Sequence, residues 1–479
     1  MATTKIEHPS VAERKARGKE LRERVPHADH AGWQPAADRP DPVTLLEEQN
    51  ATREQDLVPV RHGRMMATPF TFYRGAAKIM AADLKDTPRS GLTVQLCGDA
   101  HLSNFGVFGS PERSLLFDVT DFDETLPGPF EYDVERLAAS FTIAGRNNGF
   151  SEADTQDVTR DSVRAYREAI LGFAEMGKMD VWYAHLSEQD LLAAIKKLGT
   201  DGKASKSKKS AVKKAAKRAQ AIAAKAKTRD SLHALTKLAE VVDGSYRIKA
   251  QPPIVVPVRD LPATAAMSED EIRHVIHEQF RGYRSTLQSD RRHLLEQFQV
   301  MDVARKVVGV GSVGTRAFIV LLQGRDERDP LFLQVKEAQR SVLEDHLPKS
   351  RFRQPGERVV HGQRMMQAAS DIYLGWTKGV EQDRHLYWRQ LRDMKGSIVV
   401  ESMNPSGLSF FAGACGWTLA RAHARSGDPI AIAAYLGRGD GFDHSITDFA
   451  GRYADQNEED FQAFVGAVRS GRLEAIEDI

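Results

Sequence analysis

Asp99 and Asn104 stand five residues apart in the stretch VQLCGDAHLSNFGVF (94–108), and four acids, Asp118, Asp121, Asp123 and Glu124, follow about twenty residues on. A carboxylate that takes a proton from a hydroxyl, beside an amide oxygen and a second carboxylate that hold Mg²⁺, is equipment for phosphoryl transfer. Four acids in seven positions repel one another unless a cation or water separates them. The cluster therefore reads as a cation site or as a solvated acidic turn.

A second constellation lies more than two hundred residues downstream. VARKVVGVGSVGTRAFIVLLQG (303–324) reads as strand, glycine turn, strand, and LFLQVKEA (331–338) supplies a third strand carrying Lys336. Leu331, Leu333 and Val335 alternate with Phe332, Gln334 and Lys336, which puts the lysine on the face opposite the aliphatic residues. Gly309, Gly311 and Gly314 form a G-x-G-x-x-G. A dinucleotide fingerprint would open a helix, whereas RAFIVLL is β-rich. A glycine loop between strands with a lysine on the next strand is a phosphate-covering arrangement. Glu357, on a helix spanning 356–371, is the expected partner of Lys336, with Glu344 the alternative.

The elements that must position these residues follow from local pattern. LTVQLCGD is a short strand ending in a turn, so GDAHLSN sits where scaffold meets loop. Thr68 and Pro69 start a helix over 68–84; Arg74 and Gly75 within it read either as an anion contact or as a loop anchor. Residues 43–66 read as helix with no Gly or Pro until Pro59. PGPFEYDVERLAASFTIAGRNNGF is a turn and then a helix with Val134, Leu137, Ala138 and Phe141 in register, and Asp133 near its start is placed to cap or brace the site. Residues 151–198 read as helical throughout. GSYRIKAQPPIVVPVRDL is extended and Pro-punctuated, Ser268 and Glu271 open a further helix, IYLGWTK and RHLYWRQLRD are strands, and the tail is helical.

Composition sets the class. With 41% hydrophobic and 28% charged residues the 479-residue chain is ordinary for a folded globular protein. No stretch approaches the 18 apolar residues of a membrane span, and no apolar leader opens the sequence, so a cytoplasmic protein with no membrane partner is expected. Its two cysteines, Cys97 and Cys415, imply neither a disulfide framework nor a zinc site; Cys97 reads as a small buried hydrophobe rather than a nucleophile. Between Asp201 and Asp230 eleven Lys or Arg face two Asp, a net +9 within a chain of formal charge +1. This Lys/Ala-rich run, 203–229, reads as a solvated helix, a lid or a phosphate contact to nucleic acid; it lacks the interleaved aromatics of a nucleic-acid surface.

GDAHLSN resembles the G-D-x-H-x-x-N catalytic loop of protein-kinase-like and aminoglycoside-phosphotransferase-like enzymes. The resemblance implies Asp99 as catalytic base, His101 beside it chiefly as a brace, and Asn104 as a metal ligand. TDFDE resembles their metal-binding Asp-Phe element, which implies Asp121, with Asp123 the neighbouring candidate. Gly309, Gly311, Gly314, Lys336 and Glu357 would then form the ATP side of the site, with Mg²⁺ the metal. The order departs from the family, because there the glycine loop and lysine precede the catalytic loop. A circular permutation reconciles the two, and TLARAHARSG (418–427) resembles the helix that leads into that loop. The implied architecture is an α+β, two-lobed, permuted fold: an N-terminal extension (1–60), a large mainly helical lobe (61–300), a small five-stranded antiparallel lobe (301–400) and C-terminal helices completing the large lobe (401–479), packed beside residues 94–108. The implied activity is ATP-dependent transfer to an unidentified hydroxyl, on a small molecule or a protein. A nucleotide-binding regulator without catalysis and an AMP transferase are the alternatives. Across RHGRMMATPFTFYRGAA, LCGDAHLSNFG, DFDETLPGPFEYDVERLAAS and GERVVHGQRMMQAASDIYLGW the chain also resembles a bacterial family known as domain of unknown function 2252, which brings no activity with it.

Overall fold

Strand-forming runs with period-two alternation collect into one large antiparallel sheet, and the rest of the described residues are mainly helical, with three smaller sheets. The computed structural model describes residues 8–200, 216–217, 220–221, 223–228, 231–381, 383–391, 394–396 and 398–477. Among the described residues, the helices named in the first 295 are α1 (Val11–Arg24), α2 (Pro42–Asn50), α3 (Val58–Met66), α4 (Pro69–Gly75), α5 (Ala77–Leu84), α6 (Phe130–Asn147), α7 (Glu152–Ala174), α8 (Lys178–Tyr183), α9 (Glu188–Thr200), α10 (Ser231–Leu238), α11 (Glu269–Arg284) and α12 (Ser289–Leu295). Within and after the sheet come α13 (Pro355–Met366), α14 (Pro405–Ser426), α15 (Pro429–Leu436) and α16 (Gly441–Arg469). Short strands β1 (Thr93–Leu96) and β4 (Leu126–Pro129) pair with each other, β2 (Phe105–Gly109) and β3 (Leu115–Val119) form a hairpin extended by β5 (Leu186–Ser187), and β6 (Ala239–Val242) pairs β7 (Ser245–Ile248).

The main sheet comprises β8 (Val255–Pro257), β9 (Gln299–Lys306), β10 (Ala317–Gln323), β11 (Pro330–Glu337), β12 (Gly375–Lys378) and β13 (His385–Gln390). Its order is β12-β13-β11-β10-β9-β8, antiparallel throughout. Five of these strands, with α13 between the third and the last two, are those read from the sequence. The sixth, β8, belongs to the Pro-punctuated stretch. It lies at the sheet's edge, where a proline's missing N–H costs no ladder bond. Leu331, Leu333 and Val335 pack with Tyr283, Leu287 and Trp388 on one face, and Tyr283 stacks on Trp388 at 4.4 Å between centroids. Phe332 packs with Ile319, Leu321 and α10 on the other. Lys336 shares that second face near the sheet's end, as the alternation requires.

Several long helical readings break where a tertiary partner competes. Residues 43–66 split into α2 and α3 because the chain turns at 51–57, sending Arg53 to donate to Val313 O at 2.5 Å. The helix over 68–84, capped by Thr68 as expected, breaks at Gly75–Ala76. There Met65 fills the space beside Gly75 and Arg61 takes Gly75 O at 2.8 Å. Residues 151–198, read as helical throughout, hold three helices and the short strand β5, and α13 stops at Met366 rather than 371. Residues 8–60 are part of the helical body: α1 packs on α15, and Arg39 bridges Asp83 and Asp460 at 2.6 Å each. Cys97 and Cys415 are free and buried. Within the described residues, no helix is long and apolar enough to cross a membrane. Most of 203–229 lies outside the described set; of the rest, Ala226 is buried in the main core and Lys227 pairs Glu188 at 2.6 Å.

The C-terminal helices pack beside the Asp99 stretch. Ser426 Oγ at the end of α14 accepts Gln95 N of β1 at 3.1 Å, and Gly427 fits against Val94 where a Cβ would come within 2.7 Å of its side chain. One turn earlier, Arg421 pairs Asp118 of β3, both 1% exposed. A buried charge stripped of its partner costs about 3–5 kcal/mol. Arg421→Met should therefore lower the urea midpoint strongly, and Asp118→Leu with Arg421→Met should recover part of the loss.

Candidate active site

The loop that follows β1 is fixed from below by α6. Asp133 accepts Cys97 N at 2.8 Å and Gly98 N at 3.0 Å, and His423 Nε2 of α14 lies 3.2 Å from the same carboxylate. One turn on, Arg136 Nε reaches Asp99 Oδ1 at 2.8 Å. A further turn on, Ser140 Oγ accepts Leu102 N at 3.0 Å. Gly98, at φ 84°, makes the turn, and a Cβ there would lie 2.2 Å from Glu124 O. Asp133 thus braces the loop, as its position in the sequence suggests. Burial works against the Arg136 charge, but Tyr73 and Asp99 hold its guanidinium above the ordinary range. Asp99 keeps one oxygen on this arginine, while Oδ2 lies 3.7 Å from His101 Nε2. His101 is 4% exposed and burial pushes its pKa down to about 4, so it is a neutral brace at pH 7.

Asn104 Nδ2 donates to Asp99 O at 2.8 Å, which leaves its side-chain oxygen on the other side of the amide. Asn104 O accepts Thr120 N at 2.8 Å, tying the loop to the acidic segment after β3. Asp121 and Asp123 there meet Lys336, whose Nζ lies 3.5 Å from Asp121 Oδ2 and 2.5 Å from Asp123 Oδ2. Burial raises the Asp121 carboxyl, but Lys336 and then Arg389 outweigh it and hold the pKa at about 2. Burial likewise opposes the Lys336 charge, and the two aspartates more than restore it.

One expectation, that for Glu357, needs correction. Asp123 accepts Tyr387 OH at 2.6 Å on Oδ1 and Lys336 at 2.5 Å on Oδ2, and Asp121 accepts Asp123 N at 3.2 Å on Oδ1, so both remain candidate ligands. Glu357 does not reach Lys336; it lies 3.9 Å from the His361 ring, whose pKa burial lowers, and Glu344 instead caps the turn at Ser341. The residue of α13 that meets the acidic loop is Arg358, which donates to Asp123 O at 2.7 Å and to Thr125 O at 2.5 Å. Arg136, Arg358, Tyr387 and Arg389 all escaped the sequence reading. Only Arg136 left a signal, because Asp133, Arg136 and Ser140 fall on one helical face at i, i+3 and i+7.

The glycine loop lies across this cluster. Gly309 and Gly314 have positive φ, 67° and 86°, and Ser312 Oγ comes within 3.4 Å of Asp123 Oδ2. Two cavities adjoin. One, of about 710 Å³, is lined by Lys336, Gln334, Arg389 and the segment leaving β13. The other, of about 620 Å³, is lined by Asp99, His101, Asp123 and Glu124. Arg74, Asn104, Asp121, Gly309 and Ser312 line both. The described residues contain no cluster of three or more His, Cys, Asp or Glu side chains able to hold a metal. Asn104 and Asp121 offer two oxygens on one wall, the partial protein shell that suits Mg²⁺ completed by phosphates and water.

A family model matches residues 53–467, and it carries the description "uncharacterized protein conserved in bacteria". The chain belongs to that family, domain of unknown function 2252. The match spans the site residues named above, from Arg74 through His423, without attaching a reaction to any. No curated protein and no solved structure matches the chain.

Glu124 gives the site a pH signature. Burial pushes its carboxyl from 4.5 up to about 7, Arg358 opposing. A carboxyl raised by folding stabilises most below its ordinary pKa and loses that contribution as pH rises through the folded value. Stability measured between about pH 4.5 and 7 should therefore fall with this component, and Glu124→Gln should flatten the profile there.

Proposed function

We propose that this protein is an ATP- and Mg²⁺-dependent phosphotransferase with a circularly permuted, kinase-like two-lobed fold, acting on a hydroxyl-bearing acceptor. The observation that carries the reading is the Lys336 contact with Asp121 and Asp123. It brings together, in one cleft under the glycine loop, two constellations that lie more than two hundred residues apart in sequence. The division of the cleft supports it further: Lys336 lines one cavity, Asp99 the other, and Asn104 and Asp121 stand in the wall between them. Support for the permutation comes from α14, which leaves the sheet and ends against β1.

In this reading ATP occupies the cavity beside Lys336, whose ammonium exchanges part of its carboxylate contact for α- and β-phosphate oxygens, while the backbone of 309–314 covers them. Asn104 and Asp121 would hold Mg²⁺, which would supply positive charge to offset that of the phosphates. The acceptor lies beside Asp99. Its oxygen forms the new bond to the γ-phosphorus, the bond from that phosphorus to the β-bridging oxygen breaks, and ADP leaves with the electron pair. Asp99 Oδ2, the oxygen not gripped by Arg136, takes the hydroxyl proton. Arg136 holds the carboxylate aimed for that purpose.

The test is release of labelled phosphate or labelled product from γ-labelled ATP with Mg²⁺, run beside α-labelled ATP. Asp99→Asn should lower turnover about 10²–10⁴-fold with nucleotide affinity retained. Asp121→Asn should abolish transfer, and Lys336→Ala should chiefly weaken nucleotide binding. Full activity in all three variants would sink the mechanism. Label transferred from the α-position instead would identify AMP transfer.

A further inference from the structure

Arg74 has no role in the account so far, and its surroundings are unlike those of its neighbours. It closes the last turn of α4. On one side Tyr73 O is held by Arg136 Nη2 at 2.9 Å, and on the other Gly75 O is held by Arg61 Nη2 at 2.8 Å. Those two arginines do the anchoring; Arg61 also donates to Asn50 Oδ1 at 2.9 Å and Gln49 Oε1 at 2.9 Å. The Arg74 guanidinium makes no hydrogen bond or ion pair with the described residues, and its Nε is buried without a partner. Asp99 and Glu401 act on it only at longer range, and burial lowers its pKa. A half-buried arginine whose Nε is shut off from water without an acceptor is a costly arrangement, and an arriving anion would offset it.

Its position specifies which anion. Arg74 lines both cavities, with Asn104, Asp121, Gly309 and Ser312 as the other shared residues. The glycine loop lies against its backbone, since a Cβ on Gly311 would come within 3.0 Å of Arg74 O. A group that moves from the first cavity to the second must pass this wall.

We propose that Arg74 is a catalytic residue that binds the phosphoryl group in transit, its planar fork matching the oxygens of the γ-phosphoryl as they leave ADP for the acceptor. The inference rests on the phosphotransferase reading above. Arg61 and Arg136 serve it as positioning residues by fixing the peptide on either side.

Arg74→Ala and Arg74→Gln would be compared with wild type for binding of ADP and of a non-hydrolysable ATP analogue, each with Mg²⁺, and for turnover of γ-labelled ATP. The expected result is loss of at least tenfold in analogue affinity or turnover, with ADP affinity within twofold and an unchanged melting temperature. Arg74→Lys should recover only part, because an ammonium lacks the fork. A purely structural role would instead move ADP affinity and melting temperature together. If Arg74→Ala fails to fold, Arg74→Gln decides. A folded variant that matches wild type in analogue affinity and turnover overturns the inference and leaves the phosphotransferase reading standing. Wild type that binds neither nucleotide overturns both.

Discussion

Lys336 is 3% exposed, and a lysine that deep keeps its charge only if carboxylates come to it. Asp123 at 2.5 Å and Asp121 at 3.5 Å do so from a segment that belongs to the helical body, not to the sheet. That single requirement fastens the end of β11 to the loop after β3 and sets the width of the cleft. Tyr387 on the adjacent strand and Arg358 on α13 complete the fastening through Asp123 and its carbonyl. The cost of desolvating these charges is large, and a better-packed apolar cluster would be no less stable. Their retention makes sense if a polyanionic ligand uses the same cations.

The opposite wall is built by one helix face. Asp133, Arg136 and Ser140 of α6 each take one feature of the loop 97–102: two backbone amides, the Asp99 carboxylate and a third amide. The reacting carboxylate of the proposed mechanism therefore sits on a rigid element although it lies in a loop. The arginine that grips it also holds Tyr73 O and stacks over the Tyr73 ring at 3.8 Å, so the geometry of Asp99 and that of the α4 terminus are set together.

Much of this was legible in the chain. Alternation around Leu331–Lys336 placed the lysine on the correct sheet face, Thr68 and Ser268 marked helix starts that the structure caps as expected, spacing singled out Asp99 and Asn104, and the resemblance of TDFDE singled out Asp121; the three line one cavity. The failures have physical reasons. Helical periodicity fixes a face but not the angle at which the helix docks, so Glu357 and Arg358, about 100° apart, could not be distinguished before packing was known. Asp121 and Asp123 lie two residues apart at the turn after β3, and only the position of Tyr387 and Lys336 shows how their oxygens are partnered. Helix breaks at 51–57 and 75–76 follow from distant partners, Val313 O for Arg53 and Gly75 O for Arg61, which local sequence does not encode. The sixth strand hid behind prolines that an edge position tolerates.

The central claim is that the cleft between sheet and helical body is a nucleotide site with its transfer machinery in the shared wall. A crystal structure with Mg²⁺ and a non-hydrolysable ATP analogue tests it most directly. The account predicts α- and β-phosphates on Lys336 beneath residues 309–314, the metal on Asn104 and Asp121, and the γ-phosphate between Arg74 and Asp99. Nucleotide bound on another surface, or with its phosphates turned away from Lys336 and Asp121, would contradict it.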